Sequence, residues 1–409
     1  MIELIRAEIE TRGPVSFAWF MKQALYHPEH GYYSSGRAAI GRGGDYFTNV
    51  SVGPLFGRLL AAQFAEIWER LGKIDNFVIV EQGAHDGRLA LDVLETLRRK
   101  SSDFFSGLRY RIIEPFPVLQ DRQSQALAEF RDQVSWSDSV DAIEPFAGIH
   151  FSNELLDAMP VHSLVSKYAS PGATGIEWSE KFVDWQDDQF VFVVQPIVNP
   201  ALQAHLQKVE AARLSPEGSR LSQSEGARHE VASTWQTEVN LAALDWIDTL
   251  SEKITRGYVL AIDYGFSRDE FHEKDRSAGT LQVRAQHQHV ASPFKAIGHA
   301  DITAHVDWTG IAERAEARGL RASGFTDQHH FLTGIISEYP ELGSDSDPKS
   351  RRALQTLLHP EMLGRSFEVL ALAKDIDATT GLSGFKFARD ARALLGLTRE
   401  GKIETIIRR

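Results

Sequence analysis

The chain has no cysteine among its 409 residues. This absence excludes disulfides, thiolate zinc sites, cysteine-bound iron–sulfur clusters and a cysteine nucleophile. An excess of positive charge is missing too, because 44 Lys and Arg stand against 56 Asp and Glu and leave a net charge of −12. An acidic chain is a poor partner for nucleic acid or for an anionic membrane surface. We therefore expect no nucleic-acid partner, and chemistry that uses side chains other than thiols.

Long apolar runs are also lacking. The longest, such as Phe190–Val194, have the length of a strand and fall far short of the ~18 residues that a membrane span needs. The first residues, MIELIRAEIETRG, are charged throughout and lack the apolar region of a signal peptide. Hydrophobic residues still make up 43% of the chain, enough for a sizeable core. We expect a cytoplasmic protein without a membrane span.

Short apolar runs alternate with helical patterns in the first half of the chain, and the same pattern resumes near residue 258. The runs that predict strands are Phe77–Val80, Tyr110–Ile113, Val134–Trp136, Gly148–Ser152 and Tyr258–Ile262. Strands that alternate with helices in this way favour an α/β fold, in which a doubly wound, mostly parallel sheet carries helices on both faces.

The changes in pattern divide the chain into four parts. The predicted parts are an N-terminal helical cap with a Gly-rich loop (1–75), an α/β core in two pieces (76–162 and 246–375), an inserted α+β subdomain (163–245) and a C-terminal tail (376–409). The insertion is predicted to begin with hairpins that include a turn at Asp187-Asp188. Residues 198–256 are predicted to be helical around a polar centre.

The first strand–helix junction reads Glu81-Gln-Gly-Ala-His-Asp-Gly87. Gly83 and Gly87 allow a sharp turn and a close approach of the backbone to a ligand. A P-loop is excluded because no Gly-Lys-Ser/Thr is present, and too few glycines remain for the dinucleotide fingerprint. The pattern suits a turn that holds an amino-acid moiety, as in an S-adenosylmethionine site, with Glu81 holding the ammonium group directly or through water. The alternative is a purely structural strand–helix turn.

Two further strand ends carry polar side chains. Glu114 follows the second strand, where a carboxylate can accept hydrogen bonds from both ribose hydroxyls of a nucleoside. NAD enzymes also bind ribose with a carboxylate at this position, so Glu114 by itself does not identify the cofactor. The alternative is a solvated carboxylate at a strand end without a binding role. Asn153, Glu154 and Asp157 follow the fourth strand. If a helical turn starts there, the two carboxylates share one face; alternatively, Asp157 only caps that turn.

The ordered set of these motifs resembles the MidA family of class I S-adenosylmethionine-dependent methyltransferases, over nearly the whole chain. The family includes a mitochondrial arginine methyltransferase. Besides the Glu81 turn, the matching motifs are Tyr32-Tyr33, Gly44–Thr48, Phe56-Gly57, Asn153–Pro160, Ile262–Gly265, Gly279–Leu281, His289, Gly298–Thr303, His305–Asp307, Phe331-Leu332, His359–Met362 and Gly364.

One position departs from the family pattern. The family has Glu-x-Gly-Pro-Gly-x-Gly at the turn, whereas His85 stands here in place of the middle glycine. Similar turns without that glycine occur in other class I methyltransferases. We therefore expect cofactor binding to survive, with Asp86 helping to hold the turn.

The resemblance implies S-adenosylmethionine as the cofactor. It implies cofactor contacts from the turn and the second strand end, with two loop residues closing over the cofactor: Glu81, Gly83, Ala84, Gly87, Glu114, Asp45 and Thr48. It also implies an arginine acceptor in a protein substrate with a basic segment. An arginine stays protonated and needs carboxylates to hold it. Glu154 and Asp157 are assigned that role, with Asn153 as their orienting partner.

Other functions stay open at this point. The chain could be a non-catalytic assembly protein that keeps the fold, or a methyltransferase that acts on a small molecule. A metal-dependent hydrolase is a further alternative, because a polar segment carries His287, His289, His299, Asp301, His305 and Asp307. The resemblance itself supplies no metal.

Overall fold

The computed structural model describes residues 1–36, 48–168, 176–213, 235–285, 288–344, 347–377 and 381–397. Within these ranges the helices are α1 (Ile2–Arg12), α2 (Phe17–Tyr26), α3 (Leu55–Arg70), α4 (Arg88–Lys100), α5 (Ser102–Gly107), α6 (Pro117–Ala126), α7 (Pro200–Arg213), α8 (Leu241–Lys253), α9 (Arg268–Phe271), α10 (Trp308–Ala317), α11 (Gln328–Glu338), α12 (Pro340–Gly343), α13 (Pro348–Leu358) and α14 (Ala391–Leu394). None of these described helices is long and apolar enough to cross a bilayer.

The strands in the same ranges are β1 (Val15–Ser16), β2 (Val78–Gln82), β3 (Arg109–Ile113), β4 (Val134–Ser137), β5 (Phe146–Asn153), β6 (His162–Tyr168), β7 (Ile176–Gln186), β8 (Gln189–Pro196), β9 (Trp235–Val239), β10 (Ile254–Asp263), β11 (Gly265–Phe266), β12 (Gln282–Ala285), β13 (Gln288–His289), β14 (Asp301–Thr303), β15 (Val306–Asp307), β16 (Arg321–Asp327) and β17 (Glu368–Lys374).

The chain forms two compact units. The larger unit comprises residues 40–156, 244–267 and 307–409, and the smaller comprises residues 1–39, 157–243 and 268–306. The finer division into cap, interrupted core, insertion and tail stays a prediction.

The larger unit contains a seven-stranded sheet with the order β16-β17-β10-β5-β2-β3-β4. The strands β4, β3, β2, β5 and β10 pair in parallel. The strand β17 runs antiparallel to both β10 and β16. The predicted mostly parallel α/β sheet is therefore confirmed, and the antiparallel pairing of β17 is an addition to it. The chain moves outward from β2 to β4 and then returns to β5, so β2 and β5 flank the topological switch point, where such sheets bind ligands.

Helices pack on this sheet through apolar stripes. Helix α3 contributes Leu59 and Phe64, and α4 contributes Val93 and Leu94, to one continuous core that also contains Ile79 of β2. The buried residues of each helix include pairs four positions apart, Leu60 and Phe64 in α3 and Ala90 and Leu94 in α4, as expected for an amphipathic helix that covers a sheet.

The smaller unit contains a second sheet built from β1, β6, β7, β8 and β9. Strands β7 and β8 form the predicted hairpin, in which Asp187 and Asp188 have φ values of 48° and 59°. Two left-handed residues are what a two-residue hairpin turn of type I′ requires. The helical prediction for residues 198–256 is wrong at Trp235–Val239, which pair with β6. A strand of only five residues between two helical patterns leaves too weak a period to detect.

The close packing of the central strands depends on glycine. Gly148 of β5 lies so near β2 that a Cβ there would overlap the carbonyl oxygen of Val78. Gly257 of β10 approaches the carbonyl oxygen of Gly148 in the same way. Because backbone oxygens in a paired strand cannot move aside, only glycine fits at these two positions.

Replacing Gly148 with Ala is expected to lower the free energy of unfolding by about 3 kcal/mol, because the new methyl group must push β5 away from β2. Urea denaturation measures the loss. The matched control is Gly381→Ala, where an added Cβ meets no atom within 4 Å, and we expect a change within about 0.5 kcal/mol there. Equal losses in the two variants would contradict this account of the sheet.

Candidate active site

The register of the parallel strands brings three chain segments to one edge of the sheet. Gln82 of β2 pairs with Ile113 of β3 and with Ser152 of β5. The residues that follow, Gly83, Glu114 and Asn153, therefore emerge side by side at the carboxyl ends of these strands. The predicted cofactor turn, ribose carboxylate and acceptor segment thus share an edge.

The turn after β2 holds three left-handed residues. Gly83, His85 and Gly87 have φ values of 83°, 47° and 78°. His85 thus adopts the conformation that glycine takes most easily, at a cost of roughly 1–2 kcal/mol. The amide of Gly87 donates to the carbonyl of the buried Ala84 at 2.8 Å, and the amide of Arg88 donates to Asp86 Oδ1 at 3.1 Å. Asp86 therefore helps to hold the turn as expected, with His85 in a left-handed conformation at the position where the family has glycine.

Glu81 lies inside the unit rather than on its surface, with 2% of its area exposed. Its Oε2 accepts a hydrogen bond from the hydroxyl of Tyr110 at 2.7 Å. Burial raises the pKa of Glu81 to about 7, even though the hydrogen bond from Tyr110 works in the opposite direction. A carboxyl group with this pKa changes charge near neutral pH.

Glu114 occupies the end of β3 and is also buried. Its Oε1 accepts from the amide of Phe116 at 3.1 Å, and its Oε2 accepts from Gln123 Nε2 at 3.0 Å. Burial raises the pKa of Glu114 to about 7, although both hydrogen bonds favour the ionised form. These two bonds fix both oxygens at the position predicted for a ribose-binding carboxylate.

Gln123 connects the turn to Glu114, and the sequence analysis missed it. Its Nε2 also donates to the carbonyl of His85 at 2.9 Å, and its Oε1 accepts from Trp136 Nε1 at 2.9 Å. Leu119 and Gln123 are the buried residues of α6. An amide four residues after Leu119, on the apolar face of the helix, is the signal that could have revealed it.

The segment that is predicted to hold the methyl acceptor, residues 153–157, lies at the end of β5. Asn153 Nδ2 donates to Glu154 Oε1 at 2.8 Å, and Asn153 Oδ1 accepts from Asn49 Nδ2 at 3.0 Å. No helical turn begins at Glu154, because this residue has a left-handed φ of 54° and its amide donates to the carbonyl of Ile262. The expected helical face shared by Glu154 and Asp157 is therefore wrong.

Asp263, the second residue of the Ile262–Gly265 motif, anchors the same segment. Its Oδ2 accepts from the amides of Leu155 at 3.0 Å and Leu156 at 2.7 Å, and its Oδ1 accepts from the amide of Tyr264 at 2.8 Å. Asp263 is 1% exposed. A buried carboxylate with three backbone donors holds the chain after Glu154 in a fixed path.

Three predicted residues remain: Thr48, Asp45 and Asp157. Thr48 is buried, and its hydroxyl lies 3.0 Å from Ser51 Oγ. Asp45 lies outside the described residues. Asp157 belongs to the smaller unit, where its carbonyl accepts from the amide of Ala304, and its catalytic role stays a prediction.

The His- and Asp-rich segment shows no metal centre in the part of the chain that the structure describes. Within those ranges, no three His, Asp or Glu side chains group closely enough to bind a metal ion. The hydroxyl of Tyr33 donates instead to Asp301 at 2.6 Å. His287 lies outside the described residues.

Comparison with known proteins shows the family of the chain. The model of a family of S-adenosyl-L-methionine-dependent methyltransferases, Methyltransf_28, matches residues 59–326. The chain belongs to this family. The MidA resemblance and the class I methyltransferase fold are confirmed, and the family's cofactor is S-adenosylmethionine.

Relatives match over most of the chain. The mitochondrial protein arginine methyltransferase NDUFAF7 of Homo sapiens is 24% identical over an alignment of 422 positions, gaps included. The alignment covers 96% of this chain and 86% of that protein. Its Drosophila melanogaster homolog is 25% identical over 397 residues, 90% of this chain and 83% of that protein. A Burkholderia thailandensis protein, solved with S-adenosyl-homocysteine bound, is 30% identical with a TM-score of 0.77 and covers 96% of this chain and 95% of its own.

The predicted cytoplasmic location is wrong by this comparison, because the arginine methyltransferase relatives are named as mitochondrial proteins. The prediction relied on the absence of an apolar signal region. Mitochondrial targeting segments are amphipathic rather than apolar, so that absence does not separate the cytoplasm from the mitochondrion.

The side chains present suit S-adenosylmethionine. The methionine moiety needs a partner for its ammonium and donors for its carboxylate, and the ribose needs an acceptor for two hydroxyls. Glu81, the amides at the amino end of α4 and Glu114 would supply these groups at one sheet edge, and their roles as cofactor contacts stay predictions.

The pKa of Glu114 predicts a pH dependence of binding. Below about pH 7 the ligand-free protein holds a proton on Glu114, whereas ribose hydroxyls donate best to the ionised carboxylate. S-adenosyl-homocysteine should therefore bind about tenfold or more weakly at pH 6 than at pH 8, as measured by calorimetry. The Glu114→Gln variant should lose this part of the pH dependence and keep the part due to Glu81. Equal affinity of the wild type at both pH values would contradict the assignment.

Proposed function

We propose that the protein transfers a methyl group from S-adenosylmethionine to a guanidinium nitrogen of an arginine in a protein substrate. The observation that carries the proposal is the hydrogen-bonded pair Asn153–Glu154, which places a carboxylate at the end of β5. Strand β5 is paired with β2, the strand that leads into the predicted cofactor turn. The names of the relatives support arginine as the acceptor.

The chemistry requires a carboxylate at this place. S-adenosylmethionine supplies an electrophilic methyl group when bound. The arginine side chain stays protonated throughout the physiological pH range, and it presents N–H donors in a planar fork. Glu154 holds and orients that fork, while the hydrogen bond from Asn153 limits the freedom of the carboxylate. As the N–CH3 bond forms, the S–CH3 bond of the sulfonium breaks and S-adenosyl-homocysteine is the leaving group. The methylated nitrogen must also lose a proton, and Glu154 accepts it.

The charge of the chain supports a basic substrate. With a net charge of −12, the protein attracts a segment rich in Arg and Lys over longer distances than any single contact. Such attraction accelerates association and selects against acidic partners. The proposed partner is therefore a protein with an exposed basic segment that carries the acceptor arginine.

Replacing Glu154 with Gln tests the assignment. We expect kcat for methylation of an arginine peptide to fall by about 100-fold or more, because the neutral amide neither pairs with the guanidinium nor takes its proton. The affinity for S-adenosyl-homocysteine should change by less than about twofold. Methyl transfer is measured with labelled S-adenosylmethionine, and binding by calorimetry.

Glu129→Gln is the matched control, because among the described residues Glu129 forms a surface ion pair with Arg98 alone, and 76% of its side chain is exposed. It should leave turnover unchanged. Unchanged turnover in Glu154→Gln, together with intact cofactor binding, would refute the role of Glu154.

A further inference from the structure

Asn49 stands at the start of a chain of hydrogen bonds that ends on Glu154. Its Nδ2 donates to Asn153 Oδ1 at 3.0 Å, and Asn153 Nδ2 donates to Glu154 Oε1 at 2.8 Å. Asn49 is completely buried, whereas Asn153 and Glu154 are partly exposed. A buried amide thus sets the orientation of a carboxylate that a ligand can reach.

The chemistry of the three groups fixes the direction of this chain. An ionised carboxylate can only accept, so Asn153 must turn its NH2 group toward Glu154 and its oxygen toward Asn49. Asn49 must then turn its own NH2 group toward Asn153. Consequently Asn49 Oδ1 points away from Asn153.

That oxygen is the second observation. Asn49 Oδ1 is buried and accepts no hydrogen bond from any residue that the structure describes. Buried polar atoms in folded proteins nearly always have a partner, since an unpaired one costs stability. Such an atom calls for a donor that is absent from the protein itself, which is either an ordered water or, beside a binding site, a group of the bound ligand.

We propose that Asn49 has two functions in the acceptor site. Through Nδ2 and Asn153 it acts as a positioning residue for the carboxylate of Glu154, and through Oδ1 it accepts a hydrogen bond from a cationic N–H group of a bound ligand. The inference rests on the proposed function for the role of Glu154. Two sources share the ligand chemistry: the ammonium of the methionine moiety and the guanidinium of the acceptor.

Two variants separate the functions. Asn49→Leu removes both the donor and the acceptor at similar volume. Asn49→Asp keeps an acceptor and removes the donor, so Asn153 must turn its NH2 group toward the new carboxylate and away from Glu154. Both variants should lower kcat by about tenfold or more, whereas ligand affinity should fall only in Asn49→Leu.

The affinity measurements identify the source of the cation. If the ammonium is the donor, Asn49→Leu weakens S-adenosyl-homocysteine binding by about tenfold in calorimetry. If the guanidinium is the donor, the KM for an arginine peptide rises by about as much and S-adenosyl-homocysteine binding stays unchanged. Crystal structures with S-adenosyl-homocysteine give a readout that needs no activity, because the Glu154 carboxylate should leave its place beside Asn153 in both variants.

Gln63→Leu serves as the control for losing a buried amide in the same unit. Gln63 forms hydrogen bonds to Glu66 and to the amide of Gly384. Losing these bonds in Gln63→Leu should lower the thermal stability without changing kcat, KM or the position of Glu154. The inference is overturned if both Asn49 variants behave like this control within twofold. If the wild type transfers no methyl group to arginine, the proposed function alone fails, and the crystal structures and the S-adenosyl-homocysteine affinity still decide the role of Asn49.

Discussion

Parallel pairing of β2 with β3 on one side and β5 on the other is the constraint on which the candidate site depends. The register places Gln82 beside Ile113 and Ser152, so the three segments that follow these strands leave the sheet together. The close approach of β5 to β2 requires the absence of a side chain at Gly148. A shift of this register by one residue would turn the polar groups of one segment to the other face of the sheet.

The site combines buried carboxyl groups with a few fixed polar partners. Burial of Glu81 and Glu114 destabilises their ionised forms. Hydrogen bonds from Tyr110 to Glu81 and from Gln123 to Glu114 stabilise these forms again, but by less than burial destabilises them. Both groups therefore change charge near pH 7. The ammonium and hydroxyl groups of a bound cofactor would favour their ionised forms. Asp263 has a different role. Its carboxylate accepts hydrogen bonds from the backbone amides of Leu155 and Leu156, and it thereby holds the segment after β5 in place.

The sequence predicted those parts of the site that follow from local patterns. The turn at Glu81, the strand-end position of Glu114 and the mostly parallel sheet all come from runs of a few residues with a clear period. Gln123 and Asn49 were not found, because their roles arise from partners 9 to 104 residues away along the chain. The left-handed backbone of Glu154 was missed for a similar reason, since the carbonyl of Ile262 that holds its amide belongs to a distant strand.

The central claim is methyl transfer to a protein arginine. It is tested most directly by adding the purified protein and methyl-labelled S-adenosylmethionine to a lysate from cells that lack the protein, then hydrolysing the labelled protein and identifying the labelled amino acid. The account predicts label in methylarginine with the wild type and none with Gly83→Val, because a β-branched residue cannot adopt the φ of 83° at this turn. Label in a small molecule or in another amino acid, or no transfer by a protein that binds S-adenosyl-homocysteine, would contradict it.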